Sequence, residues 1–241
     1  MCFFYVQYNE FGRFCQVCLR IFLDGRLFLW YDETQDQEEG VDGTMMVIDI
    51  SQEVFSCTVY PGDPAPQRIA MKQMADGELY NLSMLSMCVH NGTHIDAPAH
   101  FLADGKTVEQ MDLSACIGRC YVHRHEGVLS SEDADAVCNA AEAVGGRERI
   151  LLGGGTVVTD AAAEVFVRRG VRLVGVDTQS VGDAAAPMAV HLRLLRAGVV
   201  LLEGLVLAHV KDGAYTLCAA PLNLGGCEGA PCRAVLMTDG V

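Results

Sequence analysis

The sequence predicts an α/β domain built on a mixed sheet. Two observations lead there. In the second half of the chain, short runs rich in Val, Ile and Leu alternate with stretches bounded by helix-start and helix-stop residues. That is the pattern of β-α-β units with at least part of the sheet parallel. The chain has 241 residues, 51% of them hydrophobic, enough for a sizeable core in one large domain or two small ones.

Residues 1–44 stand apart. They are rich in Phe, Tyr and Cys and end in an acidic, polar stretch, 32–39. They are expected to be an N-terminal extension, with the domain proper at 45–241. One expectation is that translation naturally starts at Met45 or Met46. The other is a genuine hairpin over 20–30, turning at Asp24-Gly25. The first strand of the domain is expected at 47–50. Tyr60-Pro-Gly-Asp-Pro64 is a turn-rich loop, and 81–89 is strand-like and delivers the chain to His90.

From there the elements alternate. A strand is expected at 120–125, then a helix at 131–144 with a serine cap, early acids and Gly145-Gly146 as its stop. A buried strand follows at 150–152. Thr159 caps a helix that runs to Arg169 and ends at Gly170. A strand at 171–177 leads to a helix at 188–197, opened after Pro187 and closed by Gly198. Strands at 199–202, 215–219 and 234–237 complete the chain.

Composition narrows the function. The formal net charge is -14. Acidic residues spread along the whole chain repel phosphate backbones, so nucleic acid is not an expected partner. No run of apolar residues is long enough to span a bilayer, and the N-terminus lacks the features of a secretory signal. Eleven cysteines are an odd number in a chain that is not small. Cys57, Cys88 and Cys218 lie in apolar stretches, where free Cys acts as a small core residue. A reducing, cytoplasmic compartment is expected. Cys15 and Cys18 have redox or zinc spacing but no second pair nearby.

Eleven residues carry the chemistry: His90-Asn-Gly-Thr-His94-Ile-Asp96-Ala-Pro-Ala-His100. Neutral imidazole and carboxylate are the ligands that zinc, manganese and iron(II) accept. Gly92 permits a tight turn and Pro98 ends regular structure, so the segment can fold back and converge its side chains. A single loop His is usually only hydrogen-bonded. Four candidate ligands at spacings of four, two and four residues point to a metal site. A second pair lies downstream. His191 is on the helix opened by Pro187, and Glu203 closes an apolar strand. A lone carboxylate amid so much apolar sequence should be paired, protonated or metal-bound.

The segment 90–100 resembles the signature of the cyclase family of metal-dependent hydrolases, His-x-Gly-Thr-His-x-Asp-x-Pro-x-His, at every fixed position. That family includes bacterial kynurenine formamidases and isatin hydrolase. Asp49-Ile-Ser51, Tyr60-Pro-Gly-Asp63, Gly175-Val-Asp-Thr-Gln-Ser180, the His191 helix and Glu203-Gly-Leu205 occur in family order. So does Ala220-Pro-Leu222 through Gly229-Ala-Pro-Cys-Arg-Ala234. The resemblance covers about residues 46–238 and leaves 1–44 untouched.

It implies a single compact α/β domain of the swivelling β/β/α type, usually dimeric or larger. It implies two divalent metal ions, zinc or manganese. His90, His94 and Asp96 would hold one, and Asp96, His191 and Glu203 the other, with Asp96 bridging. His100 matches the proposed general acid/base, and Tyr60 stands where formamidases usually have a substrate-pocket Trp. The stretch 153–160 is shorter than the aromatic-bearing loop of relatives.

The implied reaction is hydrolysis of an amide C–N bond. Metal-activated hydroxide would attack the carbonyl and His100 would protonate the leaving nitrogen. No Gly-x-Ser-x-Gly elbow is present, which argues against a serine hydrolase. N-formylkynurenine, and with it a place in tryptophan breakdown, is the leading substrate expectation. Tyr60 and the short loop make a lactam or another aryl amide the rival. A metal-binding protein without turnover is the third reading, but a structural site needs neither a proton donor nor an open position. Gly153-Gly-Gly155 lacks the Lys-Ser/Thr of a P-loop, and His123, His125 and His209 are given no site role.

Overall fold

A computed structural model of the chain describes residues 45–183 and 185–238, with the backbone of three short N-terminal strands. Two of those, Leu19–Leu23 and Arg26–Phe28, pair antiparallel with Leu23 opposite Arg26. That is the pairing expected of a hairpin turning at Asp24-Gly25. The rest of the extension, Cys15 and Cys18 included, lies outside the described residues.

The main sheet has nine strands. In chain order they are β1 Val47–Asp49, β2 His94–Asp96, β3 Ile117–Arg124, β4 Arg149–Gly153, β5 Leu173–Val176, β6 Val200–Glu203, β7 Gly213–Cys218, β8 Gly229–Pro231 and β9 Val235–Met237. Their order across the sheet is β8-β2-β6-β5-β4-β3-β7-β9-β1. The four central strands, β6, β5, β4 and β3, are parallel. Each successive pair is joined by a helix: α1 Ser131–Ala143, α2 Asp160–Arg168 and α3 Met188–Arg196. The flanking strands are antiparallel. The expected mixed α/β sheet is therefore present.

The helices start where local chemistry places them. Ser130 and Asp133 form a reciprocal capping box for α1, satisfying two otherwise orphaned N–H groups. The Thr159 hydroxyl accepts from Ala162 N at the start of α2. Gly145, Gly170 and Gly198 follow the three helices at φ values between 72° and 75°, the left-handed region that stops a helix.

Strand alternation divides the core in two. Ile150, Leu152, Val174, Val176 and Leu201 face the helices, packing on Ala134, Phe166 and Leu194 among others. Leu151, Leu173, Val200 and Leu202 face the other way, onto Ile50, Ile95, Leu217 and Leu236. The sheet closes around this second core. Past β1, Ile50 N donates to Ala234 O, and Val206 N donates to Ile50 O at 2.9 Å. Ser51 and Leu205 form an isolated bridge. A curled sheet covered on one side by helices gives the β/β/α layering.

The region before His90 departs from expectation. The strand-like stretch 81–89 does not enter the main sheet. Leu82–Ser86 instead pairs with Gln67–Lys72 in a separate two-stranded hairpin. Its Met71, Leu82, Met84 and Leu85 are exposed. Cysteine burial also differs. Cys57, Cys88 and Cys218 are only half-buried, whereas Cys116, Cys120 and Cys138 are fully in the core. All eight cysteines among the described residues are free thiols. No helix among the described residues is long and apolar enough to cross a membrane.

Candidate metal centre

The strand β2 is short and made almost wholly of site residues. It lies between β6 and β8, with His94 opposite Glu203 and Asp96 opposite Gly229. Two stretches distant in sequence are thereby fixed side by side. His191 arrives from the first turns of α3, and His100 from the 3₁₀ turn Pro98–His100 that follows β2.

These elements bring together the six residues expected around a metal. Asp96 is at the centre and fully buried. Its Oδ1 lies 2.9 Å from His90 Nδ1 and 3.4 Å from His94 Nε2, and its Oδ2 lies 3.7 Å from His191 Nε2. Glu203 Oε2 is 3.6 Å from His94 Nε2, and Oε1 is 3.3 Å from His191 Nε2. The His100 ring centroid is 4.2 Å from that of His90 and 6.1 Å from that of His191. Potential ligand atoms of His94, Asp96 and Glu203 lie within 4.8 Å of one another, as do those of His90, Asp96 and His100.

The outward ring atoms are tied down. His94 Nδ1 is 3.0 Å from Gly92 O, and His191 Nδ1 is 2.8 Å from Pro187 O. A carbonyl can only accept, so each Nδ1 carries a proton and each Nε2 is the nitrogen turned towards the carboxylates, the one a metal would take once its proton is displaced. Glu203 Oε1 also accepts from Val181 N at 2.8 Å. Asp96 Oδ2 is buried with no hydrogen-bond partner among the described residues. An ionised oxygen left bare in a dry interior is strongly unfavourable, and a cation would satisfy it. The donor set therefore fits a divalent metal.

The electrostatics agree. Burial favours the neutral form of each group. Against it, the Asp96 carboxylate, with Glu203, raises the His94 imidazole to about 9. Burial likewise opposes Asp96 ionisation, yet His90 and His94 hold its carboxyl well below the usual range. Burial, reinforced by the Asp96 charge, pushes Glu203 up. Two carboxylates so close are in tension that positive charge relieves.

Several supporting residues were not visible in the sequence. Gln52 donates from Nε2 to Gly204 O and from its backbone N to Thr93 Oγ1, and accepts from Thr58 N. Thr93 Oγ1 itself donates to Gly204 O at 2.6 Å. This bracket locks the loop before His94 to the loop after Glu203. Phe101 stacks on the His191 ring at 4.6 Å. Glu228 places Oε1 3.6 Å from His90 Nε2. No local pattern marks any of these.

Tyr60 is half-buried at the head of the turn closed by Asp63 N on Tyr60 O. The Gly-rich stretch is not an anion cradle, because Asp177 already accepts from Gly154 N and Gly155 N at 2.7 and 3.0 Å. His123 pairs with Asp212 at 2.9 Å, a carboxylate far along the chain, and stays outside the cluster. His125 and His209 contact backbone carbonyls.

The family described as "Putative cyclase" matches residues 48–183. A kynurenine formamidase of Bacillus cytotoxicus is 34% identical over 205 residues, 78% of this chain and 96% of that one. A solved structure described as a potential metal-dependent hydrolase with cyclase activity superposes with a TM-score of 0.68. It is 28% identical, over 80% of this chain and 98% of that one. Isatin hydrolase A from Labrenzia aggregata, bound to benzyl benzoate, gives a TM-score of 0.68 at 21% identity, over 81% and 94%. At that identity the likeness is one of fold.

Proposed function

Since the chain belongs to the cyclase family, we propose that it is a metal-dependent hydrolase of amide C–N bonds, acting on an arylformamide of the N-formylkynurenine type. One observation carries the reading. Four imidazoles and the Glu203 carboxylate gather around a fully buried Asp96 whose Oδ2 has no hydrogen-bond partner among the described residues, with His191 Nε2 standing off at 3.7 Å. His90, His94 and Asp96 would hold one divalent ion, and Asp96, His191 and Glu203 a second, zinc or manganese in either place. Ions held there supply an acidified water and an electrophile for the carbonyl oxygen.

The chain's own part is proton handling and enclosure. Burial pushes the His100 imidazole below its ordinary value, and the Asp96 charge opposes this only in part. His100 is therefore neutral near pH 7, with a ring nitrogen free to accept. It takes the proton of the attacking water and returns it to the departing nitrogen, which leaves poorly as an anion. Phe101 closes one wall beside His191, and Tyr60 would wall the substrate. The same reading takes residues 45–241 as the hydrolase domain and 1–44 as an extension. It makes the protein a cytoplasmic homodimer or higher oligomer with a place in tryptophan breakdown.

The test is hydrolysis of N-formylkynurenine and isatin, side by side, by metal-loaded protein. Turnover of the formamide supports the proposal; turnover of isatin alone would make it a lactam hydrolase. His100→Ala should keep its metal and lose about 10²–10⁴ in turnover. Loss of metal in that variant would make His100 a ligand with His90 and Asp96.

A further inference from the structure

The geometry points to Glu228 as a positioning residue for the metal centre: its carboxylate is the outer hydrogen-bond acceptor that aims the His90 ring at Asp96. The inference rests on the reading of His90 as a ligand and adds a residue to it.

Three imidazoles face the buried carboxylates, and each turns one nitrogen inward. Those of His94 and His191 have backbone carbonyls on their outer nitrogens. His90 is turned the other way round. Its Nδ1 faces Asp96 Oδ1 at 2.9 Å, and its outer Nε2 is buried with no hydrogen bond. Among the described residues, no backbone carbonyl takes the place that Gly92 O and Pro187 O fill for the other two. The acidic oxygen recorded beside Nε2 is Glu228 Oε1, at 3.6 Å.

The fold builds this approach. Ala97 N donates to Glu228 O at 2.8 Å, which fixes the backbone of 228 against the end of β2. Gly229 then lies so close to the ring that a Cβ there would be 2.6 Å from His90 Cε1. Glycine at 229 lets β8 press on the imidazole, and the preceding side chain reaches its far edge. The Glu228 side chain is 47% exposed, so a small rotation closes the remaining gap without disturbing the core. A carboxylate on the outer N–H fixes the tautomer, orients the ring and makes the inner nitrogen a better donor to a metal. Removing such partners typically weakens metal affinity about 10–100-fold.

The experiment is Zn(II) titration of metal-free, full-length protein against a chromophoric chelator, with thermal unfolding of the metal-free forms alongside. Glu228→Ala should bind its weaker zinc about 10–100-fold less tightly, with an unchanged unfolding temperature before metal is added. Glu228→Gln should recover most of the affinity, because an amide oxygen still accepts from Nε2–H.

Wild-type affinity in Glu228→Ala overturns the proposal, even if KM rises, since Glu228 would then serve the substrate. Equal loss in both variants also overturns it, because Glu228 would then act through its charge or as a ligand. His90→Ala separates the two levels. If it binds zinc as wild type does, the ligand reading of His90 has failed; if it loses zinc while Glu228→Ala does not, only the positioning role has.

Discussion

Asp96→Ala should empty the centre more completely than any other single substitution. Asp96 alone approaches three of the imidazoles, and its removal strands their inward nitrogens around a buried void. Elemental analysis of the purified variant checks this, and wild-type metal content would refute the bridging role. At this scale the sequence was most legible where chemistry is dense. His90, His94, Asp96 and His100 are crowded into eleven residues around a Gly and a Pro, and few structural roles explain such spacing. His191 and Glu203 were weak as single residues and needed the resemblance to be placed. Gln52 and Glu228 were not legible. Each is an ordinary polar residue whose role arises only when distant backbone is brought beside it.

Among the elements, the loops that carry the candidate ligands are coupled through glycine. Gly204 has φ +70°, and a Cβ there would lie 2.4 Å from Gly92 O. That carbonyl also receives His94 Nδ1–H. Gly204→Ala should therefore destabilise the fold by about 1–3 kcal/mol through left-handed strain and also weaken metal binding by displacing His94. Thermal unfolding with and without metal would show both. A loss of stability with unchanged metal affinity would mean that the Gly92 loop moves freely of the ring. Helices were read well because their caps are local: Ser130, Thr159, Gly145, Gly170 and Gly198 act within a few residues of themselves. Two strands of the main sheet were missed for physical reasons. β2 is built of candidate ligands, so it shows no apolar alternation. β8 contains Gly229 and Pro231 and reads as loop, yet Pro is tolerated because β8 is an edge strand. The apolar stretch ahead of His90 was read as part of the delivery to the site. It forms an exposed hairpin, because pattern alone does not say which sheet a strand joins.

For the molecule as a whole, three core thiols tie stability to alkaline pH. Burial pushes Cys116 and Cys138 up to about 11 and Cys120 up to about 12. In the unfolded chain a thiol ionises near about 8.5. The folded form keeps protons that the unfolded form has lost, so stability is intact below about pH 8.5 and falls as pH rises towards 11–12. Urea unfolding midpoints in reductant should drop between pH 8 and pH 10. Iodoacetamide at pH 8.5 should spare these three cysteines until urea is added; rapid labelling of the native protein would contradict the burial. The α/β class and the mixed sheet were legible because periodicity and punctuation recur over a hundred residues. Closure of the sheet was not, since it depends on Ile50 and Ser51 meeting residues beyond position 200.

The position of β2 in the sheet has a consequence for how the protein is made. Its neighbours, β6 and β8, lie more than a hundred residues further along the chain. As the polypeptide emerges from the ribosome, the segment that bears His94 and Asp96 comes out early and has nothing to sit between. Only when Pro231 has been released can both sides close on it. A nascent chain thus completes the setting of these candidate ligands only after residue 231 has emerged.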